Sequence, residues 1–564
     1  MTSPARRDPN TPAEYDYDLG AHGRRVATRS AEAQRWFDRG LVWTYGFNHE
    51  EAVRCFERAL ECDPHCAMAH WGIAYALGPN YNKPWDAFDE ADLSTSLARA
   101  FGCSRRAAEL SADGPPAERA LIDALQARYR TSHPPSASEL AQWNDDYADA
   151  MRAVYREYGG DMDVVALFAE ALLDRTPWQL WDLAKNDVAE GASTVEATEV
   201  LERALGWPEG AAHPGVLHMY THLMEMSPHP ERALRAADGL RTLVPDAGHL
   251  VHMPTHLDVL CGDYQSVVKT NDRAIEADSR YLEREGALNF YTLYRSHNYH
   301  FKIYGAMFLG QLGAALDAAA GLEQTISDDL LRVESPPMAD WLEAFFPMRM
   351  HVLVRFGKWQ DILAAPMPRD PELYSFTTAL THYAKGVACA ATGRTQEAEE
   401  QSARLDAAFA RVPLTRFLFN NRGVDILAIA RQMLSGELEY RRGNVERAFA
   451  HLRDAIALDD GLPYDEPWGW MQPTRHAYGA LLLEQGRVEQ AEAVYRADLG
   501  LDASLARPYQ HPDNVWSLHG YHECLTRLGK RAEARVIEQR LALAAARADV
   551  PIRASCYCRT ARAA

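Results

Sequence analysis

Positive charge, long apolar runs and the short signatures of nucleotide or serine chemistry are all scarce in this chain. Its 59 Lys and Arg face 79 Asp and Glu, a formal net charge of −20 over 564 residues. A nucleic-acid backbone calls for a basic stripe, so no nucleic-acid partner is expected. No run of 18 apolar residues occurs, so no membrane-spanning helix is expected. Met1 to Gly20 carry charges and prolines without an apolar centre, and a secretory signal is not expected either. Nine cysteines in so long a chain do not read as a disulfide framework. Together these point to the cytoplasm. Also missing are a Walker-type phosphate loop, His-Glu-x-x-His, a Gly-x-Ser-x-Gly elbow and a dinucleotide fingerprint. A nucleotide enzyme or serine hydrolase would have to be unmarked.

Histidine, by contrast, is placed with a period. His218-Met-Tyr-Thr-His222 is followed 34 residues later, member for member, by His252-Met-Pro-Thr-His256. On a helix, residues four apart share a face with Cβ atoms roughly 5–6 Å apart, so two imidazoles can reach one ion. A shift of 34 residues is also the length of a common helical repeat. The chain thus builds one two-histidine face twice, on neighbouring repeats.

The repeat is clearest near the start. Trp36, Gly40, Trp43, Ala52, Phe56, Ala59 and Pro64 fall at positions 4, 8, 11, 20, 24, 27 and 32 of a unit spanning 33–66. That unit resembles a tetratricopeptide repeat. Weaker copies follow: 214–247 closes on Pro245, and 248–281 runs on with Val267 and Ala274. Later units are marked by Gly313 with Ala318, Gly357, Gly393 with Ala398, Gly443 with Ala448, Gly486 with Ala491 and Gly529 with Ala534. The resemblance, to long bacterial tetratricopeptide proteins, implies an all-α, right-handed solenoid of about eight to ten helical hairpins with an irregular helical insertion. It supplies a fold and no reaction.

That frame divides the chain into an N-terminal segment (1–32), a first tetratricopeptide-like unit (33–77), the insertion (78–163), an array with the histidines and a tyrosine-rich insert (164–298), a C-terminal array (299–548) and a cysteine-containing tail (549–564). The insertion breaks the period at Gly78-Pro79 and His133-Pro134-Pro135, with helical stretches near 90–111, 116–130 and 138–158. Residues 282–298 break it again with Tyr291 and Tyr294, and Tyr299 follows directly. Long irregular insertions in compact arrays tend to be functional or disordered, and aromatic density disfavours disorder.

In the repeat frame His218 and His252 occupy position 5, and His222 and His256 position 9. In tetratricopeptide arrays that stripe lines the concave groove, so the resemblance implies that all four imidazoles face it. Neighbouring helices pack roughly 9–10 Å apart, close enough for the pairs to converge. His249 falls at position 2, Glu225 at position 12 of the preceding unit, and the Gly313 register puts His300 at position 2 of the next. A lone histidine is more often a core or surface residue; four at matched positions point to a metal.

The expected ligands are His218, His222, His252 and His256, joined by His297 and His300, for one ion or two of copper, iron or zinc. Glu225, Tyr294 and Arg295 are the expected catalytic or orienting residues, with Tyr220 and Arg175 beside them. Scarce carboxylates tilt the expectation from dizinc hydrolysis towards copper or iron redox chemistry. The expected ligand is a small molecule or peptide in the concave groove, enclosed by the tyrosine-rich insert. Two alternatives stay open: a scaffold binding a peptide or protein partner, and a metal storage or delivery protein, which Cys556 and Cys558 would suit. His351, His476, His511 and His519 are further candidates for the same lumen.

Overall fold

Small residues at fixed intervals let helices approach closely, and a large side chain fills the gap between them. The computed structural model describes residues 15–556, 558 and 559. Residues 1–14 of the expected N-terminal segment, and Tyr557 and 560–564 of the expected tail, lie outside the described residues. The first hairpin pairs Ala31–Tyr45 with His49–Cys62. Phe56 is fully buried in it, and a Cβ on Gly40, or on Gly72 of the following helix, would come 2.6 Å from its ring. The same wedge recurs at Tyr495, between Gly479 and Gly520. A larger side chain at those glycines would force the helices apart.

Later hairpins repeat the arrangement: Ser375–Ala391 with Thr395–Phe409, Gly423–Arg441 with Val445–Asp460, Thr474–Glu484 with Val488–Asp498, and Val515–Arg527 with Arg531–Ala545. The chain is an all-α array of tetratricopeptide-type hairpins. Among the described residues, strand structure amounts to two two-residue hairpins and one isolated bridge. The expected insertion contains the helices Glu90–Leu110, Pro116–Leu125 and Ala137–Tyr158. No helix of the described residues is long and apolar enough to cross a membrane.

The turn between paired helices holds a left-handed residue, which favours glycine. Gly262, Gly357, Gly393, Gly443, Gly486 and Gly529 take it, with φ from 61° to 84°. Gly310, at φ 73°, does so after Tyr291–Leu309; Gly313 lies inside the next helix, Leu312–Thr325. The expected register was therefore three residues late, because two glycines stand close together. Corrected, it moves His297 to position 2 and His300 to position 5. Residues 282–298 are likewise not an irregular insert. They extend Tyr264–Glu285 to 22 residues and open the 19-residue helix Tyr291–Leu309. Only Gly286–Phe290 link the two, so the added length is mostly helical turn, and the next helix enters in phase. The first hairpin departs from the glycine rule: Phe47 stands in its turn, at φ 54°.

Candidate metal centre

Two helices in adjacent repeats carry the paired histidines. Pro214–Glu225 begins on Pro214 and is capped by His213, whose Nδ1 accepts from the Val216 amide at 3.2 Å. The equivalent helix is split into Gly248–His252 and Pro254–Leu260, because Pro254 has no N–H to donate. In each repeat, positions 5 and 9 meet position 2 of the next: His218 and His222 with His249, and His252 and His256 with His297. Within each trio the ligand nitrogens lie within 4.8 Å of one another. All six residues are buried, none more than 6% exposed.

Partners on the outer side decide which nitrogen of each ring faces inward. His218 Nδ1 donates to the Tyr45 carbonyl oxygen (2.7 Å), His222 Nδ1 to Glu225 Oε1 (2.9 Å) and His252 Nδ1 to Asn271 Oδ1 (2.7 Å). The Asn271 amide is itself oriented, donating to the Val267 carbonyl oxygen at 2.9 Å. Each of these rings then turns an Nε2 lone pair inward. His256 Nδ1 lies 2.9 Å from Glu225 Oε2 and 2.6 Å from Glu466 Oε2. The inward nitrogens crowd: 3.2 Å between His218 and His249 Nε2, 2.9 Å between His252 and His256, and 3.5 Å between His256 and His297. Two nitrogens bound to one ion at about 2.0–2.1 Å stand roughly 3 Å apart. His222 Nε2, His249 Nδ1 and His297 Nδ1 have no hydrogen-bond partner among the described residues.

Charge follows the same plan. Burial, aided by neighbouring imidazoles, holds His218, His249, His252 and His297 well below the ordinary histidine value, so they are neutral and able to ligate. Burial would raise Glu225, but His222 and His256 outweigh it and hold the carboxyl at about 2. Burial would lower His256, but Glu225 and Glu466 outweigh it and lift the ring to about 10. Glu466 itself is pushed by burial up to about 7, against the pull of His256. The two carboxylates thus demand a positive charge at His256.

His222, His249, His256 and His297 floor a cavity of about 870 Å³, walled by Trp178, Phe290, Tyr294, Trp341, Phe419 and Tyr464. Three aromatic residues around the histidines sit at positive φ: Phe47 (54°), Trp178 (60°) and Phe419 (46°). Such backbone costs about 1–3 kcal/mol each and concentrates at functional sites. The Phe47 ring lies 4.5 Å from His218 and stacks on His222 and His249 at 5.7 and 5.6 Å. Phe419 is 4.6 Å from His297, and Trp178 is 6.1 Å from His222. For Phe47 a sequence signal existed: an aromatic at the turn position that other units give to glycine.

Several expected residues lie elsewhere. His300 Nε2 is 2.8 Å from Met471 Sδ, outside both trios, because the segment between Asp460 and Thr474 fills the groove there. His249 takes the third place that had been expected for it. Glu225 is fully buried behind His222 and His256, in contact with their outer nitrogens, and does not reach the cavity. Arg295 points away: Nε donates to Thr325 Oγ1 (2.8 Å) and Nη2 to Thr292 Oγ1 (3.1 Å). Tyr294 does line the cavity, its ring 4.4 Å from His249. Arg175 lines it too but is held by Asp145 and Ser193, while Tyr220 donates to Glu202. His351 packs on Trp470, and His476 and His511 flank Asp498 at 3.0 and 2.8 Å. Neither these nor His519 belong to a trio. Cys556 and Cys558 share a separate cavity of about 50 Å³ with His476.

Sequence reasoning missed Tyr464, Asp465 and Glu466, all buried, on the irregular segment after Asp460. No spacing rule links them to helices so far away in the chain. With them at the cavity wall, the apparent scarcity of carboxylates disappears, and with it the tilt towards redox chemistry. A contrasting cluster shows what a hydrogen-bonded knot looks like. Asp163 Oδ1 accepts from His22 Nε2 (3.1 Å), His213 Nε2 (3.0 Å) and the Tyr45 hydroxyl (2.7 Å), and Arg24 covers its other oxygen. Each of the three donors to Oδ1 there is aligned with its acceptor.

No protein-family model and no curated protein sequence matches the chain. Among solved structures it is similar to the Cut9–Hcn1 hetero-tetramer of APC/C, at 12% identity over 95% of this chain and 97% of that one, with a TM-score of 0.26. Yeast Tom70 is 11% identical over 91% and 92% of the two chains, with a TM-score of 0.27. A monomeric IFIT1 mutant is 12% identical over 92% and 91%, also at 0.27. Likeness at that level carries nothing about what this chain binds or does.

Proposed function

We propose that the chain is a metalloprotein. Its paired three-histidine sites hold transition-metal ions that act on a small molecule enclosed in the aromatic cavity. The observation that carries this reading is the convergence of three buried imidazoles in each trio, ligand nitrogens within 4.8 Å of one another, with the inward His222 Nε2 met by no donor among the described residues. Lone pairs gathered in this way repel unless a proton or cation lies between them. A donor set of imidazoles without thiolate suits zinc, copper or iron. Three protein ligands leave a position for water, dioxygen or substrate, and the cavity opens at that side of His222, His249, His256 and His297. A bound ion would supply Lewis acidity or an activated water there. The chain's own part is to hold His222 and His256 through Glu225, to place the Glu466 carboxyl at the wall, and to exclude bulk water with Trp178, Phe419 and Trp341. Burial of positions 5 and 9 beneath Phe47 and the segment after Asp460 counts against an extended peptide lying on them.

Protein purified without a metal-affinity tag is expected to contain stoichiometric zinc, copper or iron by elemental analysis, and to lose it in His222→Ala combined with His256→Ala. Tag-free protein that carries no metal and takes up none of these ions when they are added overturns the reading.

A further inference from the structure

We infer that a further divalent cation binds on the outer side of His256, held by Glu225 Oε2, His256 Nδ1 and Glu466, so that the His256 ring bridges two ions. The bridge rests on the three-histidine reading; the outer site stands on its own residues. Glu225, His256 and Glu466 form a buried group whose ligand atoms all lie within 4.8 Å of one another. The His256 nitrogen is 2.9 Å from one carboxylate and 2.6 Å from the other. Yet Glu225 Oε2, His256 Nδ1 and both Glu466 oxygens make no aligned hydrogen bond among the described residues. They stand at ion-pair distance without hydrogen-bond alignment, the arrangement of ligands aimed at a common point. The Asp163 knot, with a similar set of groups, has its contacts aligned as hydrogen bonds.

Two carboxylates buried together are costly unless matched by a cation, and a single imidazole proton between them leaves oxygen lone pairs over. The geometry is also braced from outside. Glu225 Oε1 accepts from His222, and the Tyr464 hydroxyl donates to the Glu225 carbonyl oxygen at 3.0 Å, pinning the segment that carries Glu466 to the end of the histidine helix. Two oxygens and one nitrogen suit zinc, manganese or iron(II) better than copper(I). Glu466 and His256 both line the cavity, so an open coordination position would face it. Binding there replaces the proton on His256 Nδ1, which leaves to solvent.

Tag-free protein is stripped with a chelator, dialysed against zinc chloride and measured by elemental analysis. Glu466→Gln is expected to hold one zinc fewer per chain than wild type, and Glu466→Asp to regain it at saturating zinc. His218→Ala with His249→Ala is expected to lose a different ion, leaving the loss in Glu466→Gln additive to its own. A full zinc load in Glu466→Gln overturns the inference and leaves the three-histidine reading standing. Zinc that survives both His218→Ala with His249→Ala and His252→Ala with His297→Ala, but vanishes in Glu466→Gln, supports the carboxylate site and overturns that reading instead. If circular dichroism shows that Glu466→Gln does not fold, the wild-type load decides: three zinc ions per chain support the inference, and two or fewer overturn it.

Discussion

Replacing Glu225 by glutamine and by leucine separates an orienting carboxylate from a merely space-filling one. Glu225 is fully buried and offers one oxygen to each of two histidines, 2.9 Å from His222 Nδ1 and 2.9 Å from His256 Nδ1. A glutamine keeps one acceptor oxygen. It can serve His222, which has no other acceptor on that nitrogen among the described residues, while Glu466 at 2.6 Å still serves His256. A leucine of similar volume serves neither. His222 N–H is then orphaned in the interior at a cost of about 1–3 kcal/mol, and its ring is no longer held in the ligating tautomer. Loss of an outer partner typically weakens metal binding about 10–100-fold, or roughly 1.4–2.7 kcal/mol. The expectation is therefore graded: Glu225→Leu lowers zinc affinity of the His218–His222–His249 trio about 10–100-fold, and Glu225→Gln lowers it less than about tenfold. Competition against a chromophoric chelator measures both, with His252→Ala and His256→Ala in the background to remove the second trio and the carboxylate site. Equal loss in the two variants, or none in Glu225→Leu, refutes the argument.

Substitutions at three further positions probe other steps of the reasoning. Phe47→Ala is expected to destabilise by about 3–5 kcal/mol, because a ring 2% exposed and packed on three imidazoles is removed. At φ 54° Phe47→Gly should be the more stable of the two by about 1 kcal/mol, the reverse of the usual order, and urea denaturation that puts alanine first refutes the strain. His351 is held down to about 3 by burial, so the unfolded chain binds its proton first and stability falls as pH drops from about 6.5 towards about 3. His351→Leu should flatten the stability–pH curve by about 1.4 kcal/mol per pH unit in that window, read by chemical denaturation at fixed pH values; an unchanged slope counts against it. Arg295→Met should lower thermal stability through the lost contacts to Thr292 and Thr325 yet leave the metal load unchanged by elemental analysis; a lost ion would return Arg295 to the site.

Much of the site was legible because a repeat copies its faces. His218, His222, His252 and His256 were readable as a matched set once the 34-residue period was seen, and position 2 was already visible at His249. The corresponding position in the next unit was misread because Gly313 was taken for the turn glycine. Only the left-handed backbone at Gly310 shows that His297 repeats His249 and that His300 does not. The tyrosine-rich stretch looked like an irregular insertion because a period of fixed length cannot see added helical turns. Arg295 and Tyr294 are neighbours in sequence, but residues one apart on a helix face different ways, and only the packing told which of them reached the cavity.

The sequence by itself determined the hairpin repeat and the doubled histidine face. Both are local: small residues at fixed offsets dictate how two helices meet, and a four-residue spacing dictates which side chains share a helix face. Tertiary structure alone decided what stands opposite that face. Glu466 and Tyr464 reach Glu225 from the far end of the chain, and Phe47, Trp178 and Phe419 close around the rings from three separate turns. Those meetings depend on how the array curves back on itself. That curvature sums small rotations over many repeats, and no short stretch of sequence encodes it.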